Sequence, residues 1–285
     1  MKSFFNRILL PVVFNAETKG NIARAIGLAN DLGCDLHLLH VKTFPTFLQH
    51  IKNLANQNKK TDQHCEMEML ALVEQFRVHM ADGLLLTSAV TTGDWQAGLK
   101  KAVITNYIDL VIIPRYDSKI VDLPGGYIDV NKLAQHTQCP VLTISNFNGF
   151  HWQNIVVPVN DFLPLRKLTA ATFLAKKFDG MVHLLGQRSN TNTIDMNNTV
   201  YLTKAYQLLR NYTKVKVYRA MQKKGSVAED TLDYARKVHA DLIVVNPGKE
   251  SLAGGWFRRW MENYFPSKTN IPVLTISAPP GLKDR

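Results

Sequence analysis

Short, uninterrupted apolar runs alternate along this chain with longer stretches in which apolar residues recur three and four apart, a pattern of buried strands separated by amphipathic helices. Two stretches carry it most clearly. Asp241 to Ser277 runs from DLIVVN through a glycine-containing loop and an aromatic, basic helix to IPVLTIS, and Asp109 to Ser145 runs from DLVIIP to CPVLTIS at a constant offset of 132 residues. Each copy reads as a buried strand, a loop, a helix and a second buried strand. A strand whose end loops into a helix is where parallel α/β folds hold phosphates, because the loop amides and the helix N-terminus point at the ligand.

The pattern predicts a first strand over Ile8 to Val13, then a helix from about Ala16 to Asp31, capped by Asn15, with Ile22, Ala25, Ile26 and Ala29 on one face and Gly33 as its stop. A strand over Asp35 to Val41 follows. The polar, Pro45-containing stretch to Asp62 reads as a loop, Glu66 to Ala81 as a helix through Met69, Leu70, Val73, Phe76 and Val78, and Leu84 to Val90 as a strand. Gly93 and Asp94 then turn the chain into a helix over Gln96 to Asn106. The second half repeats the order: a strand at Ile155 to Val159, a helix over Leu165 to Phe178 capped by Asp161 and stopped by Gly180, and a strand at Met181 to Leu185. Gln187 to Thr199 is polar enough for a mobile loop, Tyr201 to Tyr212 is helical, Val215 to Ala220 is a strand, and Gly225 with Ser226 opens the next helix. The offset between halves is 147 at Pro11 and Pro158 but 132 from Gly93 onward, so about 15 extra residues lie between the second and third strands of the first half. Asn146 to Trp152 is a short linker.

Strands alternating with helices imply parallel sheets with right-handed crossovers, one in each half. At 285 residues, 46% hydrophobic and 20% charged, the chain has the composition of a soluble two-domain protein. No apolar run approaches the roughly 18 residues of a membrane helix. The opening MKSFFNRILLPVVFNA resembles a signal peptide, but NIVVPVND recurs at Asn154 to Asp161, so Ile8 to Val13 is read as a strand. Three cysteines, Cys34, Cys65 and Cys139, fit a reducing cytoplasm without a disulfide framework. The formal charge of +11 is unevenly placed: residues 1–148 hold 14 Lys/Arg against 13 Asp/Glu, and residues 149–285 hold 20 against 10. An excess of +10 in one half suits an anionic small molecule or an acidic protein as partner. The basic residues are scattered singly or in pairs, as on a solvated surface, which argues against nucleic acid.

The strings ILLPVV, LLHV, Gly93 with Asp94, DLVIIP and CPVLTIS, repeated as IVVPVN, HLL, Gly225 with Ser226, DLIVVN and IPVLTIS, resemble the universal stress protein family, twice over and across almost the whole chain. That resemblance implies two tandem Rossmann-like α/β domains, residues 1–147 and 152–279, each a five-stranded parallel sheet between helices. It also implies an internal pseudo-dimer in which the last strands meet, Val141 to Ser145 near Val273 to Ser277, with a homodimer as a further assembly. Some members bind ATP and others do not, and the family is tied to survival under stress rather than to a defined reaction.

ATP-binding members carry Gly, two residues, Gly, nine residues, then Gly followed by Ser or Thr, because glycines let backbone amides approach phosphate and the hydroxyl adds a donor. In the first half those positions are Pro114, Asp117, Tyr127 and Ile128, and the Asp expected at the end of the first strand is Val13. None of these suits a nucleotide. In the second half they are Asn246, Lys249, Arg259 and Trp260, with Asn160 in place of the first-strand Asp, while Gly248, Gly254 and Gly255 lie close by. Asn160, Asn246, Gly248, Lys249 and Arg259 are therefore the candidate site for a nucleotide or other anion, with ATP in the second domain as the one cofactor this sequence admits. The alternative is that Trp256, Phe257, Trp260 and Phe265 pack on the sheet or the partner domain and that no cofactor binds. His37 and His40, three apart on a strand, face opposite sides and cannot chelate one metal, and His64 and Cys65 have no partner at ligand spacing. With no nucleophile elbow or paired acids, enzymatic function has no support in the residues.

Overall fold

The computed structural model describes residues 4–43, 62–116, 119–120, 128–144, 150–187, 196–222, 226–248, 250–251 and 270–279. They form two compact units, Met1–Asp129 and Val130–Arg285. The first holds β1 (Arg7–Pro11), α1 (Thr18–Leu32), β2 (Asp35–Lys42), α2 (Asp62–Phe76) with a 3-10 turn at Arg77–His79, β3 (Leu86–Thr92), α3 (Trp95–Thr105), β4 (Leu110–Tyr116) and the short β5 (Lys119–Ile120). Its parallel strands lie in the order β3-β2-β1-β4. The second holds α4 (Val130–Thr137), β6 (Val141–Ile144), β7 (Asn154–Pro158), α5 (Leu165–Lys177), β8 (Met181–Gln187), α6 (Met196–Tyr212), β9 (Lys216–Gln222), α7 (Val227–Lys237), β10 (Leu242–Val245) and β11 (Val273–Thr275). Here the order is β9-β8-β7-β10-β11-β6, parallel except that β6 runs antiparallel to β11 with Thr143 opposite Val273 and Val141 opposite Thr275. The pairing of the two PVLTIS strands expected from the sequence is thus present, inside the second unit.

The DL strings gain a physical reason. Asp109 accepts from the amides of Asn6 and Arg7 at 2.9–3.1 Å, and Asp241 accepts from those of Gln153 and Asn154 at 3.0 and 2.9 Å, so each aspartate ties the start of the first strand to the start of the fourth. These are charge-assisted bonds to backbone donors that no ladder reaches. Asp94 caps α3 by accepting from the Ala97 amide at 2.9 Å, and Ser226 with Glu229 makes a full capping box on α7. Gly33 ends α1 in the left-handed conformation at φ 71°, and Tyr107, Gln138, Asp179 and His239 take the same conformation at the ends of α3, α4, α5 and α7.

Several expected details shift. Asn15 does not cap α1; its Oδ1 accepts from the Glu17 amide at 3.0 Å in a turn, and the helix begins at Thr18. Asp161 is not the cap of α5, which follows Pro164 directly. α2 starts at Asp62 and buries Cys65, Met69, Leu72 and Phe76, a stripe that keeps the expected Met69 and Phe76, while Leu70 and, in the 3-10 turn, Val78 are exposed. α6 starts at Met196, within the stretch read as a mobile loop. Gln187 at the start of that stretch is the last residue of β8, and residues 188–195 and 44–61 lie outside the described residues.

His37 on β2 and His183 on β8 occupy matching places, the first opposite Thr87 on β3 and the second opposite Tyr218 on β9. His183 Nε2 lies 3.2 Å from Asn154 Oδ1 and Nδ1 lies 3.4 Å from the Tyr234 hydroxyl, with the ring stacked on Tyr218 at 5.2 Å. Burial holds the Tyr234 phenol above its ordinary pKa, so it remains a donor to the neutral imidazole. His37 bonds Thr87 through Nδ1 at 2.9 Å, while its Nε2 is buried without a partner. Burial pushes both imidazoles below their usual pKa, helped for His37 by Arg7. The unfolded chain, with imidazoles near pKa 6.5, therefore takes up these protons first as pH falls. Stability is fully present above about pH 6.5 and is lost as pH drops from there through the folded values. Unfolding free energies from urea titrations at neutral pH and below should fall across that window by up to about 1.4 kcal/mol per pH unit for each histidine. The double substitution His37→Asn/His183→Asn should flatten the slope, and an unchanged slope would assign it to other groups.

Candidate functional site

In each unit the chain moves one way from its first strand to its third and the other way to its fourth, so the strand order reverses between β1 and β4 and again between β7 and β10. The crevice beyond the C-terminal ends of such strands is where open α/β sheets hold ligands. In the second unit Asn160 follows β7 by two residues, Asn246 directly follows β10, and Ser277 follows β11 by two. All three are more than nine-tenths buried. Asn246 Nδ2 donates to the Ile276 carbonyl at 2.7 Å, which ties the β10 loop to the end of β11. Gly248 takes φ 105°, a conformation side chains rarely adopt, and its amide donates to Ser251 Oγ at 3.1 Å.

Two residues that the sequence reading passed over dominate this edge. Lys167, in the first turn of α5, is completely buried; its ammonium donates to the Pro158 carbonyl at 2.7 Å and to Glu250 Oε2 at 2.5 Å. The same Glu250 oxygen accepts from the Asn246 amide at 2.7 Å. A carboxylate of the chain's own thus sits on the loop amide at the end of β10, with a buried cation behind it. The signal for Lys167 was in the spacing: Lys167, Ala170, Ala171 and Leu174 form one buried stripe of α5, so a cation on it had to find an internal partner. Nothing local marks Glu250, whose role depends on a residue 83 positions away.

Around this pair four polar atoms are buried with no hydrogen-bond partner: both side-chain atoms of Asn160, Asn246 Oδ1 and Ser277 Oγ. Together they offer donors and acceptors but no formal charge. Of the predicted site residues the structure brings Asn160, Asn246 and Gly248 to one edge, while Lys249 and Arg259 lie outside the described residues, as do Gly254, Gly255 and the aromatic residues from Trp256 to Phe265.

The matching edge of the first unit is filled by side chains. His40 Nδ1 donates to the Val12 carbonyl at 2.9 Å, and its ring centre lies 4.4 Å from that of Phe14 and 6.0 Å from that of Trp95. Thr18 Oγ1 donates to the Val13 carbonyl, Ile128 is fully buried, and β4 runs past Pro114 to Tyr116 before turning back as β5. Asp117 and Tyr127 lie outside the described residues. Among the described residues no group of three or more His, Cys, Asp or Glu is placed to hold a metal, and no helix is long and apolar enough to cross a membrane.

No family model matches the chain, and no curated protein matches it significantly. Solved structures do. A universal stress protein from Archaeoglobus fulgidus DSM 4304 superposes with a TM-score of 0.64 at 15% identity, over 97% of this chain and 99% of that one. The fold is that of the universal stress proteins. A functionally unknown protein from Pseudomonas aeruginosa PAO1 shares it, with a TM-score of 0.61 at 14% identity over 96% of this chain and 93% of its own. Within the universal stress protein fold, the Lys167–Glu250 pair lies at the strand-order reversal of the second unit, where the ligand crevice of such a sheet belongs.

Breaking a buried ion pair from one side strands a charge and costs about 3–5 kcal/mol. Lys167→Met and Glu250→Gln should each lower the melting temperature by roughly 10 °C. Lys167→Met/Glu250→Gln, which keeps an acceptor for the Asn246 amide, should recover most of that loss. Thermal melts of the four proteins form a double-mutant cycle, and additive losses would refute direct coupling.

Proposed function

We propose that this chain is a non-enzymatic, two-domain universal stress protein that works in the cytoplasm through its surface and its partners, with its nucleotide-binding loops largely lost. The observation that carries this reading is Glu250 Oε2 at 2.7 Å from the Asn246 amide. A phosphate oxygen would have to displace Glu250 from that amide and so take from Lys167 its carboxylate partner, and breaking such a buried pair costs about 3–5 kcal/mol. One hydrogen bond from the loop to a charged group returns only about 1.5–3 kcal/mol. The Phe14, His40 and Trp95 cluster supports the same reading for the first domain. The fold supports a stress-response role, and thiols at Cys34, Cys65 and Cys139 that form no disulfide agree with a reducing compartment.

A second reading rests on a specific observation. The unpartnered polar atoms of Asn160, Asn246 and Ser277 favour a ligand at the second domain, and an adenine nucleotide is the one the sequence admits, with Lys249 and Arg259, outside the described residues, as its expected anion-binding side chains. The readings separate in one experiment. Gently purified protein examined by mass spectrometry should carry no stoichiometric nucleotide, and titration with a fluorescent ATP analogue should show no saturable binding at low or high salt. Saturable binding lost in Lys249→Ala/Arg259→Ala but kept in Arg115→Ala/Lys119→Ala would establish the second reading in place of the first.

A further inference from the structure

At the opposite end of the strands the second unit opens a cavity of about 610 Å³, between the C-terminal ends of α5 and α6 and the first residues of β8 and β9. Its rim carries Lys176, Lys214 and Lys216 against the carboxylate Asp179, and Met181 and Val215 give it an apolar wall. Thr172 lines it as well, and the Thr172 hydroxyl is buried without a hydrogen-bond partner. That is unusual for a helical threonine, whose Oγ1 ordinarily turns back to the carbonyl four residues earlier, as Thr169 and Thr231 do here.

The first unit shows what this corner looks like closed. The backbone bonds from Cys34 to Ala29 and from Asp35 to Asn6 have counterparts from Gly180 to Ala175 and from Met181 to Gln153, and these fix the correspondence between the two corners. In the first unit Asn30 clasps α1 to the following segment, donating to the His79 carbonyl and accepting from the Ala81 amide, both at 2.8 Å. Asp35 makes a second clasp by accepting from the Leu85 amide at 3.0 Å, and Ile26 fills the floor at 3% exposure. In the second unit Lys176 stands where Asn30 is, Met181 replaces Asp35, and Thr172 replaces Ile26. Across the corner Lys214 and Lys216 replace Gly83 and Leu85, by the register that sets His183 beside Tyr218 as His37 beside Thr87. Both clasps and the floor plug are exchanged together, for three cations and a hydroxyl.

From this exchange we infer that the corner is a binding site for a small organic anion with an apolar body, such as an aromatic carboxylate or sulfonate. Lys214 and Lys216 hold the charged group, Met181 and Val215 pack on the apolar part, and Thr172, shorter than the isoleucine of the first unit, leaves the floor open beneath it. The volume is that of sites for small ligands. The site is separate from the Lys167–Glu250 edge and accounts for part of the positive charge of this half without requiring a polyanion.

Anilinonaphthalene sulfonate is a suitable probe, being an aromatic sulfonate whose fluorescence reports transfer to an apolar site. The native protein should bind one equivalent saturably, less tightly as salt rises from about 0.05 to about 0.5 M. Lys214→Ala/Lys216→Ala should weaken binding roughly tenfold or more, the loss of charge-assisted contacts. Thr172→Ile, which restores the plug of the first unit, should weaken it as much, with both variants melting close to the native protein. Lys204→Ala/Lys237→Ala, which removes two exposed cations elsewhere on the same unit, should bind as the native protein does. Inorganic phosphate should compete poorly, since it has no apolar body. Unsaturable binding, equal loss in the control variant, full affinity in Thr172→Ile, or strong competition by phosphate would each overturn the assignment.

Discussion

The amide of Asn246, where β10 gives way to the loop, needs an acceptor in a place that water reaches poorly. In this chain the acceptor is the carboxylate of Glu250, and that choice governs the surroundings. A buried carboxylate is tolerable only with a cation, so Lys167 is drawn into the first turn of α5 and its ammonium also satisfies the Pro158 carbonyl at the end of β7. One acid thereby couples the ends of β7 and β10 to α5, while Asn246 Nδ2 extends the tie to β11. The geometry leaves the crevice polar but without a surplus charge to offer an anion.

The two units show one scaffold carrying different contents at both of its ends. At the C-terminal edge the first unit packs Phe14, His40 and Trp95 where the second places asparagines and an ion pair. At the N-terminal edge the first unit closes with Asn30 and Asp35 where the second opens a lysine-rimmed cavity. What both keep is the set of bonds that holds strands in register: the aspartate on the first-strand amides, the capped turn after the third strand, and the buried histidine of the second strand. The architecture rests on those, which leaves the two edges free to diverge.

Much of this was legible in the residues. Apolar runs bounded by glycine and capping residues placed β1, β2, β7, β8 and β10 to within one or two positions, because a buried parallel strand has no alternative partner for its side chains. The pairing of Val141–Ile144 with Val273–Thr275 followed from the repeat and the family resemblance together. Errors fell where local chemistry has competing solutions. Asn15 can cap a helix or close a turn before it, and it does the latter; α2 has apolar residues at neighbouring phases, and only packing on β2 and β3 selects among them. At the candidate site, Asn160 and Asn246 were singled out by registering the family's motif on the repeated strands, and the structure places both just after a strand, whereas Glu250 and Lys167 acquire meaning only from each other.

The antiparallel pairing of β6 with β11 bears on how the chain is made. Val141–Ile144 is fully buried, and its partner Val273–Thr275 lies about 130 residues further along. During synthesis β6 emerges with β7, α5, β8, α6, β9, α7 and β10 still to come. Its backbone edge facing β11 therefore stays open until about 130 further residues have been made. A buried strand held waiting in this way is a template for pairing with another nascent chain. Late closure of this long-range contact makes folding of the second unit slow compared with a unit that completes itself locally. The time spent with β6 uncovered, rather than any property of the finished sheet, is then the interval in which such mispairing competes with folding.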